Sequence, residues 1–173
     1  MDRHFISTES DLSTHLSVLH QRICEFCPDI ERVAVALYEA ETDLLHTYVN
    51  SNLGMESPIR NYHVSLSSVP SLVTLAESGD NRCVDDLSIF DKSRSLHSKA
   101  ILKAGFKSSF TIPLKQEDKL LGFVFFDSTR QAYFSPALQS YLTLFGQLIF
   151  NFIEHDFSAI KTLKGALKTA AVF

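Results

Sequence analysis

The stretch FKSSFTIPLKQEDKLLGFVFFD, residues 106–127, decides the fold of this chain. Two runs rich in aromatic and β-branched residues flank the polar residues 116–118, an arrangement typical of a β-hairpin. Symmetric pairing about this turn predicts which side chains share a face of the sheet. The face with hydroxyl groups would carry Ser109, Thr111, Val124 and Phe126. The apolar face would carry Phe110, Ile112, Phe123 and Phe125. We expect helices to cover the apolar face and a ligand pocket to border the other.

A helix and a second hairpin are predicted before this stretch. Apolar residues recur every three or four positions over residues 9–27, which predicts an amphipathic helix. Residues 32–40 then alternate as a strand, followed by strands over 44–49 and 61–66. One side of the first strand would carry Val33, Val35 and Leu37. The other side would carry Ala34, Ala36 and Tyr38, and the two alanines would leave space beside a pocket.

Short elements link the two hairpins, and a long helix follows the second. We predict a helix over 70–77 that ends at Gly79, a brief strand over 82–84 and a helix over 91–104 that ends at Gly105. From Ser135 onward the pattern is helical, with an expected interruption at 156–158.

The composition is that of one domain with a substantial core. The chain has 173 residues, 45% of them hydrophobic, and a net charge of −4. Without a basic run, nucleic-acid binding is disfavoured. No apolar stretch long enough for a membrane span or a signal peptide is visible. The three cysteines argue against a disulfide scaffold and for a reducing cytoplasm.

The hairpin motifs resemble those of GAF domains. The family commonly has an S-x-x-x-P-L strand, a turn and an x-L-I-G-x-L strand, and residues 109–114 and 119–124 are similar to these. RCVDD, residues 82–86, resembles the strand that precedes the pocket helices of the family. The resemblance covers roughly residues 10–155 and implies an α+β fold with a six-stranded antiparallel sheet. Terminal helices would cover one face, and short helices would close a small-molecule pocket on the other.

The C-terminal residues resemble a linker. Residues 160–173 are similar to the segment that joins some bacterial GAF domains to HD-GYP phosphodiesterase domains, which act on cyclic-di-GMP. We therefore expect a sensory domain over 1–155 and a helical linker over 156–173 toward a covalently linked output domain. The apolar end at 170–173 also favours continuation into another domain. Ile153, Ile160 and Leu167 are seven residues apart, which favours a homodimer through the first and last helices.

Eight residues are candidates for ligand binding. Arg94 and His97 share a helix face and could hold an anionic ligand, although a solvated face is the simpler interpretation. Ser109, Thr111 and Phe126 follow from the predicted hairpin face, with local hydrogen bonding as the alternative. The remaining candidates are Tyr62, Arg82 and Phe90.

The sequence leaves the cofactor unknown. Bilin-binding GAF domains carry a Cys beside a His in the pocket helix, whereas this chain has Leu96 before His97. Asn81, Arg82 and Phe90 match only the start of the cyclic-nucleotide signature of phosphodiesterase GAF domains. His63 or His97 could ligate haem, but a lone histidine is more often structural.

Three functions remain open from the sequence. The first is a ligand sensor, the second a dimerising relay without a ligand, and the third a thiol enzyme similar to free methionine sulfoxide reductases. Cys83 lies in the right region for that enzyme, but it has no resolving cysteine nearby and we expect no catalytic residue in this chain. His20, Cys24 and Cys27 share a helix face and could ligate zinc, although packed thiols are the simpler interpretation.

Overall fold

The computed structural model describes residues 3–52, 63–92 and 96–170, and it forms a six-stranded antiparallel sheet with helices on both faces. The strands lie in the order β3-β2-β1-β6-β5-β4, so β1 and β6 are central. The strands are β1 (Arg32–Glu39), β2 (Leu44–Asn52), β3 (His63–Ser65), β4 (Arg82–Val84), β5 (Ser108–Gln116) and β6 (Lys119–Ser128). The helices are α1 (Arg3–Phe26), α2 (Pro70–Ser78), α3 (Leu96–Lys103) and α4 (Pro136–Ala170). The predicted fold class is confirmed.

The first face of the sheet, called here the core face, packs against α1 and α4. Val33, Val35 and Leu37 of β1 point into this core, as the alternation predicted. Leu16 and Ile23 of α1 meet them there. The helical partners from α4 are Leu142, Ile149 and Ile153.

The opposite face, called here the pocket face, is covered by short elements. Ala34 and Ala36 of β1 lie on it, together with Leu72 and Leu75 of α2. Near β4, a smaller cluster forms around Leu87, which belongs to a short 3₁₀ helix over Leu87–Phe90, and Ile101 of α3. Terminal helices on one face and short helices on the other were predicted.

A β-bulge in the β5–β6 hairpin overturns the predicted faces of that hairpin. Near the turn the pairing is symmetric, with Gln116 opposite Lys119 and Lys115 opposite Leu120. The next pair is Leu114 with Gly122, so β6 contains one extra residue. A shift of one residue moves every later side chain to the other face. Phe126 and Val124 therefore lie on the core face, and the prediction that they share a face with Ser109 and Thr111 was wrong.

Gly122 occupies a position where β6 approaches the neighbouring strand β1 closely. A Cβ at this residue would lie 2.0 Å from the backbone oxygen of Ala36. Real Cβ atoms do not approach a backbone atom so closely, so a larger residue would force the two central strands apart. The glycine therefore permits the register that follows the bulge.

Two helix predictions differ from the structure. The helix predicted over 91–104 is shorter, because α3 begins at Leu96 after the 3₁₀ helix, while Gly105 ends it with φ 89° as predicted. The expected interruption of the last helix at 156–158 is wrong, because α4 runs on through these residues. None of the described helices combines the length and apolar character that a membrane span requires.

Candidate functional site

A cavity opens on the pocket face between the sheet and the short helices. Its interior volume is about 70 Å³. By the usual space per buried water, that is room for about five water molecules. Its apolar lining includes Ala34, Ala36, Leu45, Leu72, Val84, Leu87, Ile101 and Phe125. Its polar lining includes Arg32, Thr47, Ser71, Arg82, Ser98, Ser109, Thr111 and Asp127. A mostly apolar wall with a few polar groups is typical of small-molecule sites.

Two rows of side chains cross the sheet and form the floor of the cavity. In the first row Arg82 is opposite Thr111, Thr111 is opposite Phe125, and Phe125 is opposite Ala34. Residues directly opposite one another in antiparallel strands share a face. The register of four strands therefore brings a cation, a hydroxyl group, an aromatic ring and a methyl group into one line.

The second row contains a buried ion pair. Ser109 is opposite Asp127, and Asp127 is opposite Arg32. The Nη1 of Arg32 donates a hydrogen bond to Oδ2 of Asp127, and the side chains are only 2% and 3% exposed. A charge is stable at such depth only with a partner, so each residue requires the other.

Two guanidinium groups on the cavity wall retain unused donors. The Nε atoms of Arg32 and Arg82 are buried and have no hydrogen-bond partner among the described residues. Burial lowers the pKa of Arg82, because the surroundings disfavour its charged form. Unsatisfied buried donors are rare in folded proteins and mark places where a bound group fits.

Four of the eight predicted ligand residues line the cavity. Arg82 lies on β4, Phe90 ends the 3₁₀ helix, and Ser109 and Thr111 lie on β5. Whether they bind a ligand stays a prediction. Phe126 does not line the cavity, because the bulge places it in the core beside Phe110, with ring centroids 6.3 Å apart.

The other three predicted residues lie wholly or partly outside the description. Tyr62 and Arg94 lie outside the described residues. The backbone of His97 belongs to α3, but its side chain is not among those described.

Arg32 and Asp127 are cavity residues that the sequence interpretation missed. Arg32 comes directly before the apolar run of β1, and Asp127 comes directly after the apolar run of β6. The sequence did contain a signal, because opposite charges in two central apolar strands require each other. Phe125 was not predicted as a cavity residue because the β-bulge, which also moves Phe126 to the core face, was not foreseen.

The side chains of His20 and Cys24, which with Cys27 form the predicted zinc-ligand group, make hydrogen bonds within the protein. Nε2 of His20 donates to the carbonyl oxygen of Ile30 at 2.6 Å, and Nδ1 lies 2.8 Å from Oγ of Ser51. Cys24 donates to the same carbonyl at 3.4 Å, and burial raises the pKa of both thiols. Among the described residues no cluster of three His, Cys, Asp or Glu side chains could hold a metal ion.

Comparisons with known proteins identify the fold. No family model matches this chain, and no curated protein is significantly similar to it. Among solved structures it resembles a GAF domain region of a putative membrane protein from Geobacter sulfurreducens, with a TM-score of 0.63 and 13% identity over 87% of this chain and 98% of that one. This similarity and the sheet topology give the chain a GAF-like fold.

Two further structures have the same fold with different roles. The phycoerythrobilin-bound GAF domain of a cyanobacterial phytochrome matches with a TM-score of 0.65 and 13% identity, over 91% of this chain and 90% of that one. A type II free methionine-R-sulfoxide reductase from Thermoplasma acidophilum matches with a TM-score of 0.66 and 14% identity, over 86% and 95%. A sensory domain and an enzyme thus share this architecture, so the fold alone does not decide between them.

Proposed function

We propose that this chain is a regulatory GAF domain that binds a small molecule in the cavity and relays the binding to an output domain. The observation that carries the proposal is the cavity itself. Its wall presents two guanidinium donors that no described residue satisfies, beside the apolar surface that a small molecule would cover. GAF-fold neighbours that bind chromophores support a sensory role.

The relay would pass through the sheet to the terminal helices. Asp127 lies on the cavity floor. Its neighbour in β6, Phe126, points to the opposite face and packs in the core beneath α1 and α4. A ligand that moves β6 at Asp127 would therefore also move a core residue that contacts the helices. In this proposal residues 1–155 sense the ligand and residues 156–173 transmit the change.

A second copy of this chain is the proposed partner of the terminal helices. Leu144, Leu148 and Phe152 recur every four residues along α4 and remain 66%, 46% and 37% exposed. On α1, Phe26 is 73% exposed. Ile153 itself is buried in the core, so the exposed stripe is a separate apolar surface of α4, and a parallel homodimer would cover it.

Sedimentation velocity tests the dimer. We expect Leu148→Glu to weaken self-association at least about tenfold, since a charge would enter the apolar contact. Thr143→Glu, at another exposed position of α4, is the control and should leave the dimer intact. A wild-type chain that sediments as a monomer at high micromolar concentration would contradict the proposal.

The proposed output is a cyclic-di-GMP phosphodiesterase of the HD-GYP type. It is supported only by the resemblance of residues 160–173 to linkers of such proteins. The gene sequence beyond Phe173 tests it directly, and an open reading frame without a metal-binding His-Asp motif would contradict it.

The thiol-reductase alternative has less support than binding. Cys83 is opposite Phe110 on the core side of the sheet, whereas its neighbours Arg82 and Val84 face the cavity. Burial and the neighbouring Asp85 raise the pKa of Cys83 to about 11, so the nucleophilic thiolate is scarce at neutral pH. Measured reduction of free methionine sulfoxide that is lost in Cys83→Ser would nevertheless favour the enzyme.

Thermal unfolding with a metabolite panel tests the sensory proposal. A ligand at 100 times its dissociation constant adds about 2.7 kcal/mol to the free energy of unfolding, which is readily seen as a higher melting temperature. Ala34→Leu would fill the cavity and should remove the shift while the protein stays folded. If no class of compound shifts the melting temperature, the relay without a ligand is the better description.

A further inference from the structure

Within the described part of the chain, the Arg82 guanidinium is a cavity group without a charged partner. The other guanidinium, that of Arg32, is neutralised by Asp127. No ion pair or hydrogen bond joins the Arg82 side chain to another described residue, although it is half-buried on the cavity wall. A desolvated cation without a counterion lowers stability, so its presence needs a compensating role.

The cavity has a net charge that fits one negative charge. Among the residues that the structure describes, the charged lining consists of Arg32, Arg82 and Asp127, which together leave one uncompensated positive charge. A monoanion would neutralise it, whereas a dianion would bring an excess negative charge beside Asp127. A neutral ligand would leave the Arg82 cation as it is.

The shape and lining of the cavity fit a short organic acid. Its interior volume is about 70 Å³, which limits the ligand to a few non-hydrogen atoms, since a cavity of roughly 150 Å³ holds one benzene molecule. The hydroxyl group of Thr111 lies opposite Arg82, and Phe125 and Ala34 continue the same row as apolar surface. A planar guanidinium matches a carboxylate with two parallel hydrogen bonds.

We infer that the cavity binds a short-chain monocarboxylate whose carboxylate pairs with Arg82 and whose apolar tail lies over Phe125 and Ala34. This inference rests on the proposed sensory function and names the chemical class of its ligand. Arg82 is then the specificity-determining residue, and the Arg32–Asp127 pair is part of the floor. The lowered pKa of Arg82 agrees with the desolvation that a bound anion would offset.

The experiment measures binding of named probes to the full chain by calorimetry and thermal shift. The monocarboxylates are propionate, butyrate and pyruvate, and the matched uncharged probes are propionamide and butyramide. Succinate and inorganic phosphate test other anions, and propylamine tests a cation. We expect saturable binding of at least one monocarboxylate, with its amide at least about tenfold weaker because it lacks the charge-assisted pair.

Three variants assign the binding to Arg82. Arg82→Gln should weaken monocarboxylate binding at least about tenfold, and Arg82→Lys should retain part of it because the charge remains but the fork is lost. Arg130→Gln removes the same charge from an exposed guanidinium that pairs with Asp29, and it should bind like the wild type. Without ligand, Arg82→Gln should melt no lower than the wild type, since no hydrogen bond or ion pair to a described residue is removed.

The possible results separate this inference from the function on which it rests. Binding of an amide, an amine, succinate or phosphate in place of the monocarboxylates would overturn the inference and leave sensing intact. Equal monocarboxylate binding by Arg82→Gln, or a large loss of its melting temperature without ligand, would also overturn it. If none of the anionic, neutral and cationic probes binds, both the proposed sensory function and this inference are overturned.

Discussion

The two faces of the sheet use the same strands for different purposes. On the core face, Phe110, Phe126 and Val124 are at most 1% exposed and fill the space beneath α1 and α4. On the pocket face, β1 carries small side chains at Ala34 and Ala36 and β6 carries Phe125, and a cavity remains between them and the short helices. The difference shows that one sheet can be close-packed on one face and leave an open space on the other.

The largest expected effect compares the two adjacent phenylalanines of β6. Phe126→Ala should lower the free energy of unfolding by about 3–5 kcal/mol, because it empties a close-packed site. Phe125→Ala should cost at least about 1 kcal/mol less, because that side chain borders an existing cavity. Urea denaturation measures the difference, provided that the free energy of unfolding depends on urea concentration with the same slope in both variants. Equal losses of stability in the two variants would contradict the distinction between the faces.

A second effect compares a buried ion pair with an exposed one. Asp127→Asn should cost about 3 kcal/mol, because it leaves the Arg32 cation buried without its counterion. Asp29→Asn, in the Asp29–Arg130 pair with side chains 37% and 66% exposed, should cost less than about 1 kcal/mol. Chemical denaturation of both variants tests this, and similar losses would mean that the Arg32–Asp127 pair is solvated.

The smallest expected effect concerns pH and the core face. Burial lowers the pKa of His20 from its ordinary 6.5, and a hydrogen bond to Ile30 only partly opposes this. Below about pH 6.5 the unfolded chain binds a proton that folded His20 does not, so stability is lost as pH falls, by up to about 1.4 kcal/mol per pH unit.

Denaturation at a series of pH values checks the His20 prediction. His20→Gln should show a shallower loss of stability at acid pH than the wild type, even if it is less stable throughout. His63→Gln changes an exposed histidine and should keep the wild-type slope. An unchanged slope in His20→Gln would assign the acid sensitivity to other groups.

Local sequence patterns predicted most elements because those elements follow local rules. Pro70 near the start of α2 and Gly79 after its end, with φ 74°, delimit that helix as predicted. The alternation of residues 32–40 placed Val35 and Ala36 on the correct opposite faces. Arg82, Phe90, Ser109 and Thr111 line the cavity, and their role in ligand binding stays a prediction.

The sequence by itself determined the order of elements and the two faces of β1, because each depends on neighbours along the chain. Only the tertiary structure decided which face Phe125 and Phe126 occupy, since one extra residue in β6 reverses that choice. It also decided that Arg32 meets Asp127, while Arg82 meets no counterion among the described residues. Those outcomes depend on the register of strands distant in sequence, which local periodicity does not encode.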